Sequence, residues 1–182
     1  MNKQNIEQKA NYLLQSLKYN DGEVDVLTIA QTLGFVVGIA ALPSNDNGFI
    51  LIDHSKKQIY RIIALPIDKA IGVNVHLDLQ TRRFIIAHEI GHYILHYHSN
   101  PFIRREFIYQ VSREEIEADF FASCLLMPQK PFIRRYNELK DKDLSKEDII
   151  TLLQKSFNVP EEKVKQRIIN TFYAEQHHSK KS

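Results

Sequence analysis

The stretch that decides the fold is His88-Glu89-Ile90-Gly91-His92, inside an apolar run from Phe84 to Leu95. Histidines four residues apart share one face of an α-helix and lie roughly 6 Å apart along its axis. Two such imidazoles can bind one ion at the roughly 2.0–2.1 Å typical of Zn–N bonds. Glu89 follows the first histidine and can face the open side of the ion, where a base must take a proton from water. The pattern therefore predicts a helix that carries part of a zinc site.

The alternative is an amphipathic helix with two chance histidines, since a pattern this short also matches by accident. Buried imidazoles without partners are costly, however, and a helix this apolar would place both rings against the core. One metal ion satisfies both rings. The sequence therefore favours a metal site.

The third ligand is not obvious, although a catalytic zinc usually has three protein ligands and one open position. His98 follows His88 at the spacing of the third histidine in the zinc enzymes with the motif His-Glu-x-x-His-x-x-Gly-x-x-His. Those enzymes need a glycine at the position where this chain has Leu95. His96, if helical, lies roughly 12 Å from His88 along the axis, too far to bind the same ion. We interpret both as residues outside the ligand set.

A second predicted helix, from Ser112 to Leu126, offers carboxylates. Glu115 and Asp119 are four residues apart and share their face with Ala118 and Ala122, whose small side chains allow a close approach to the motif helix. We predict that Glu115 binds the metal. Asp119 is predicted to accept a hydrogen bond from the far nitrogen of a metal-binding histidine.

Two alternatives remain open at this second helix. Ser112-x-x-Glu115 is also a capping box, in which the glutamate turns back to the start of the helix. Glu117 would then be the third ligand. Helical geometry favours Glu115, but the sequence leaves the choice between the two glutamates open.

The composition narrows the class of protein. The 182 residues are 43% hydrophobic and 25% charged, which is typical of a globular protein, and the net charge of +2 is too small to indicate nucleic acid or a membrane surface. The single cysteine, Cys124, excludes an intrachain disulfide and fits a reducing cytosol as a small core residue. The chain shows no signal peptide and no apolar run of about 18 residues. We predict a cytoplasmic protein.

The remaining pattern predicts an α+β fold, mainly helical, with a small, largely antiparallel sheet beside the motif helix. Strands are predicted at 35–39, 49–52, 59–63 and 72–77. Helices are predicted at 2–18, 24–33, 81–96, 112–126, 131–139, from 145, and at 160–173. We expect one domain over residues 1–173, with a C-terminal helical pair at 145–173 and a flexible polar tail at 174–182.

Two blocks of sequence resemble a known family. The first is RRFIIAHEIGHYILH at 82–96, and the second is EIEADFFASCLLMP at 115–128. Together they resemble the ImmA/IrrE family of zinc metallopeptidases, whose second block has a Glu, then Ala-Asn or Ala-Asp, then Phe-Ala, then Leu-Leu-Met-Pro. The paired blocks are far more specific than the five-residue motif, and weaker similarity extends from residue 24 to residue 160.

The resemblance implies a minimal zincin-like fold of the gluzincin type. It implies Zn²⁺ bound by His88, His92 and a glutamate of the later helix, with Glu89 as the catalytic acid/base. It also implies a metalloendopeptidase that cleaves a helix-turn-helix repressor and so derepresses genes of a phage, a mobile element or a stress regulon. Four residues are possible donors to the oxyanion, and the sequence does not rank them: Tyr93, His96, His98 and Tyr109.

The alternative function is a non-catalytic, zinc-containing regulator that acts by protein or DNA binding. Residues 145–173 could form a helix-turn-helix unit. Its second helix carries three basic residues, Lys163, Lys165 and Arg167. Glu161 and Glu162 stand where a recognition helix would meet phosphates, which favours a packed helical pair with a solvated charged face. A purely structural zinc site would not need Glu89, so the sequence favours the enzyme.

Overall fold

The structure is a computed structural model that describes residues 2–43, 46–52, 68–97 and 112–173. These residues form a mainly helical α+β fold with one small sheet, as the sequence predicted. In chain order the elements are α1 (Lys3–Ser16), α2 (Val26–Thr32), β1 (Val36–Ala40), β2 (Gly48–Ile52), β3 (Lys69–Asn74), α3 (Leu79–His96), α4 (Arg113–Leu126), α5 (Gln129–Lys140), α6 (Lys146–Phe157), α7 (Glu161–Ile168) and a π-helical turn (Ile169–Tyr173).

The sheet has the order β1-β3-β2 and is mixed within the described residues. Strand β2 pairs antiparallel with β3, whereas β1 pairs parallel with it, so the pairing is less antiparallel than predicted. The strand predicted at 72–77 begins earlier, at Lys69, and ends at Asn74, whose side chain donates to the carbonyl of Asp46 at 2.7 Å. The strand predicted at 59–63 and the tail at 174–182 lie outside the described residues.

The core is one large cluster of buried apolar side chains contributed by all of the helices and the sheet. Helix α3 packs against α4, and α4 also packs against α1. Cys124 is a core residue, as predicted, with only 1% of its surface exposed. Burial raises the pKa of its thiol to about 12, so the thiol stays protonated at neutral pH.

The C-terminal helices α6 and α7 pack back onto the centre of the molecule. Asn158 ends α6 in the left-handed conformation, and its carbonyl accepts a hydrogen bond from Arg83 Nε at 3.2 Å. Each basic residue of α7 contacts a carboxylate of the protein itself, in the pairs Lys163–Asp119, Lys165–Glu161 and Arg167–Glu7. These contacts fit a packed helical pair better than a helix that presents its cations to phosphates.

A membrane-spanning segment is not found among the helices of the described ranges, since none is long and apolar enough to cross a bilayer.

Candidate metal centre

The helix that carries the motif begins at an aspartate. Asp78 precedes α3, and its carboxylate accepts hydrogen bonds from the backbone N–H of Thr81 at 2.8 Å and from the Thr81 hydroxyl at 3.0 Å. The sequence predicted a helix from residue 81, whereas α3 begins at Leu79. Aspartate is the stronger N-cap, because its carboxylate accepts the free N–H groups of the first turn. The helix then continues to His96, so His88 and His92 lie one turn apart, as predicted.

The second helix begins where the sequence placed it. The hydroxyl of Ser112 caps α4 by accepting a hydrogen bond from the backbone N–H of Glu115 at 3.3 Å. One carboxylate oxygen of Glu115, Oε2, points at the two histidines. Ser112 therefore supplies its half of the capping box while Glu115 reaches across to α3.

Helices α3 and α4 cross in close contact at Gly91. A Cβ atom on Gly91 would lie 3.1 Å from the carbonyl oxygen of Ala118 and 3.2 Å from its Cα atom. Ala118 and Ala122 are fully buried at this crossing, as their small size suggested. The role of Gly91 was not predicted, although a glycine inside an otherwise strong helical pattern can indicate a packing role.

We expect Gly91→Ala to weaken metal binding, measured with Zn²⁺ as the probe, roughly tenfold, as displaced supports of a metal site do. The new methyl meets backbone atoms of α4, so the helices must separate. Overpacking costs about 1–3 kcal/mol, and the better helix propensity of alanine offsets about 1 kcal/mol of it. Chelator-competition titration measures the affinity, and urea unfolding measures the stability.

Gly38→Ala is the matched control for this substitution, because a Cβ on Gly38 meets nothing within 4 Å. Equal zinc affinities for the two variants would contradict the proposed role of the close crossing.

Three donor atoms converge between the two helices. Nε2 of His88 lies 2.9 Å from Nε2 of His92 and 3.0 Å from Oε2 of Glu115, and the His92 and Glu115 atoms are 3.5 Å apart. A tetrahedral ion with bonds of roughly 2.0–2.2 Å needs donors roughly 3.3–3.6 Å apart. The three side chains are therefore within a few tenths of an ångström of that spacing. They could hold a metal ion.

The chemistry of the donors also fits a cation. Nδ1 of His88 donates to Oδ1 of Asp119 at 2.9 Å, because a carboxylate only accepts. In its neutral form, the form that binds a metal, His88 then presents the lone pair of Nε2 towards a carboxylate oxygen of Glu115. Two acceptors facing each other at this distance repel, and a positive ion between them turns the repulsion into attraction. Imidazole nitrogens and a carboxylate are ligands that zinc commonly takes.

Asp119 lies within hydrogen-bond distance of the far nitrogen of the His88 ring, and its support of a metal-binding histidine stays a prediction. Partial burial raises the pKa of Asp119, but the hydrogen bond from His88 and the nearby charge of Lys163 outweigh burial, so its pKa lies below the usual value. Asp119 is therefore an anion at neutral pH. An anionic acceptor fixes the orientation of the His88 ring and leaves Nε2 free of a proton.

Glu89 directly follows His88 on α3 and is 6% exposed. Its Oε1 atom is 3.6 Å from the position that a Cβ on Gly48 would take, at the first residue of β2. That Cβ would also lie 2.5 Å from the side chain of Ile85 and 2.9 Å from the carbonyl oxygen of Gly72. Only glycine fits here, so Gly48 lets β2 run close beside Glu89. This role of Gly48 was not predicted from the sequence.

Comparison with known proteins now bears on the site. The model of the IrrE N-terminal-like domain, named Peptidase_M78, matches residues 30–168. The chain belongs to this family. The match includes both sequence blocks, so the resemblance to the ImmA/IrrE family is confirmed. The IrrE N-terminal-like chain described here is thus a member of a metallopeptidase family, with a cluster that could hold a metal.

Two relatives of this IrrE N-terminal-like chain cover different shares of it. Immunity region protein 2 of Bacillus phage phi105 is 39% identical over 62 residues, which are 34% of this chain and 39% of the phage protein. A Mycobacterium tuberculosis transcriptional regulator matches 91% of this chain with a TM-score of 0.56 at 20% identity, which shows a shared fold. The match covers 47% of that regulator, so this chain spans about half its length.

The other acidic candidate of the IrrE N-terminal-like chain faces away from the three donors. Glu117 accepts a hydrogen bond from Arg113 Nε at 2.8 Å, and its other oxygen is 4.0 Å from Nε2 of His96. The ring of His96 lies beside that of His92, with 5.7 Å between centroids. The structure thus groups His96 with Glu117, and groups Glu115 with the two motif histidines.

Of the possible oxyanion donors, Tyr93 is engaged elsewhere, since its hydroxyl accepts a hydrogen bond from Lys69 at 2.8 Å and its ring packs edge-on against Phe35. His98 and Tyr109 lie outside the described residues. His96 borders the site, beside Glu117.

Proposed function

We propose that this chain is a zinc-dependent metalloendopeptidase that cleaves a helix-turn-helix transcriptional repressor and thereby derepresses genes. The observation that carries the proposal is the convergence of His88, His92 and Glu115 on one point, with the buried Glu89 directly after His88 on α3. Membership of the IrrE N-terminal-like family supports peptide hydrolysis as the reaction. We further propose one metallopeptidase domain over residues 1–173 and a cytoplasmic location.

The proposed ligands are the two motif histidines and Glu115, and Asp119 supports His88. Zinc at this point would lower the pKa of a water molecule and polarise the carbonyl group of the scissile bond. Glu89 takes the proton of the attacking water and then gives it to the departing amine. Its burial suits this role, because a sheltered carboxylate exchanges its proton with the substrate rather than with bulk water.

A repressor as substrate is supported by the kind of protein to which the chain is similar. The phage relative is named for an immunity region, and the structural neighbour is a transcriptional regulator. Both names indicate control of gene expression. A protease of this family that acts in such a setting would switch genes on by destroying the protein that represses them.

The proposal is tested with any helix-turn-helix protein that is encoded beside the gene for this chain. Purified protein is incubated with that candidate repressor and zinc, and the fragments are identified by mass spectrometry. We expect one cut or a small number of cuts, no cleavage with a chelator, and recovery when zinc is restored. Equal cleavage with and without the chelator, or no cleavage of the repressor by the zinc-loaded protein, would contradict the proposal.

A further inference from the structure

We propose that Lys163 of α7 is a positioning residue of the metal centre: it holds Asp119 in the orientation that fixes the ring of His88. The inference rests on the proposed metal-binding role of His88, His92 and Glu115. It assigns a part in the site to the C-terminal helical pair, which supplies none of the three ligands.

The contact consists of two consecutive bonds that use different oxygens of one carboxylate. Nζ of Lys163 donates to Oδ2 of Asp119 at 2.5 Å, while Oδ1 of Asp119 accepts from Nδ1 of His88 at 2.9 Å. The last torsion of an aspartate has a broad energy minimum, so one hydrogen bond leaves the carboxylate free to rock. A second bond on the other oxygen fixes its plane. The ring of His88 is fixed in turn.

Lys163 is itself held in place between the two helices that carry the ligands. Its Nζ atom lies 4.3 Å from the centroid of the Phe84 ring, a cation–π contact with a buried residue one turn before His88. Asp119 lies one turn after Glu115 on α4. The side chain of Lys163 is 23% exposed and that of Asp119 is 45% exposed, so the pair is partly sheltered and salt screens it in part.

The backbone of α7, from which the side chain of Lys163 extends, is held in place by buried contacts. Val164, the next residue, is fully buried. Arg167, one turn on, donates to the carbonyl of Met127 at 3.1 Å and to the thiol of Cys124 at 3.3 Å, and it pairs with Glu7. Lys163 therefore extends from a fixed helix. The neighbouring Lys165 instead pairs with Glu161 at the surface.

The two possible roles of Lys163, positioning Asp119 or acting only as a positive charge, predict opposite changes in zinc affinity when Lys163 is replaced. If Lys163 acted only as a distant positive charge, its removal would strengthen the binding of a cation. If it positions Asp119, its removal loosens His88 and weakens binding. The sign of the change in zinc affinity therefore separates the two roles.

The test measures zinc affinity by chelator competition for the full chain and its variants. We expect Lys163→Met to bind zinc roughly tenfold more weakly, at the lower end of the effect of outer supports of metal sites. Lys163→Arg should restore most of the affinity, and Lys165→Met should bind like the unchanged protein. Lys163→Gln is measured alongside, so that a folding defect in one variant does not decide the result.

A double-mutant cycle separates positioning from general packing. In an Asp119→Asn background, Lys163→Met should produce no further loss, because the carboxylate through which it acts is gone. Unchanged or stronger zinc binding by both neutral variants, or a full tenfold loss in the Asp119→Asn background, would overturn the inference. Failure of the unchanged protein to bind zinc would instead overturn the proposed function on which the inference rests.

Discussion

Glu89→Gln should bind zinc as tightly as the unchanged chain while cleaving its substrate about 10²- to 10⁴-fold more slowly, the range that a general acid–base group contributes. Glutamine has the shape of glutamate but cannot accept the proton of the attacking water. The side chain is 6% exposed and is not one of the three converging donors, so its replacement leaves them in place.

Single-turnover cleavage of the repressor measures the rate, and metal analysis of the same samples measures occupancy. Glu117→Gln is the matched control, because Glu117 contacts Arg113 and His96 rather than the donor atoms. Full activity of Glu89→Gln at full zinc occupancy would remove Glu89 from the mechanism. Loss of zinc together with activity would make Glu89 part of the binding site instead.

Glu115→Gln should weaken zinc binding by more than about 100-fold, beyond the effect of losing an outer support. The change removes the only negative charge among the three donors and leaves a neutral amide oxygen, which is a far weaker ligand. Cleavage should fall with occupancy and recover in part when zinc is raised. Metal titration and cleavage at several zinc concentrations provide both measurements.

Glu117→Gln again serves as the comparison, since the sequence offered Glu117 as the other possible ligand. We expect its zinc affinity to stay close to that of the unchanged chain. The reverse pattern, with tight binding in Glu115→Gln and weak binding in Glu117→Gln, would show that Glu117 is the third ligand.

The sequence predicted the parts of the site that depend on local geometry. A spacing of four residues places His88 and His92 on one face of α3, and the same spacing places Glu115 and Asp119 on one face of α4. Apolar residues at helical spacing over several turns also predict each helix. The sequence could therefore indicate that a carboxylate from α4 meets the histidines of α3, with Asp119 behind His88.

The sequence could not predict contacts that depend on how distant elements meet. On sequence alone, Lys163 resembles a surface cation of an amphipathic helix, and its contact with Asp119 depends on where α7 packs. The close approach of Gly48 to Glu89 depends on where β2 packs. The parallel pairing of β1 with β3 likewise depends on the path of the chain between them. The pattern of apolar residues along a strand predicts which residues are buried, but it does not predict which strand lies next to it in the sheet.

The structure also links the C-terminal helices to the centre of the molecule. Arg83 on α3 donates a hydrogen bond to the carbonyl oxygen of Asn158, in the turn between α6 and α7. Lys163 on α7 contacts Asp119, which in turn contacts His88. Contacts of this kind make the pair α6–α7 part of the support of the site. A truncation after residue 144 should therefore impair zinc binding as well as folding.

The most direct measurement is anomalous X-ray scattering at the zinc edge from crystals of the zinc-loaded protein. We expect one strong peak within roughly 2.0–2.2 Å of Nε2 of His88, Nε2 of His92 and a carboxylate oxygen of Glu115. A fully occupied zinc peak elsewhere, or no peak among these three atoms at saturating zinc, would contradict the proposed metal site.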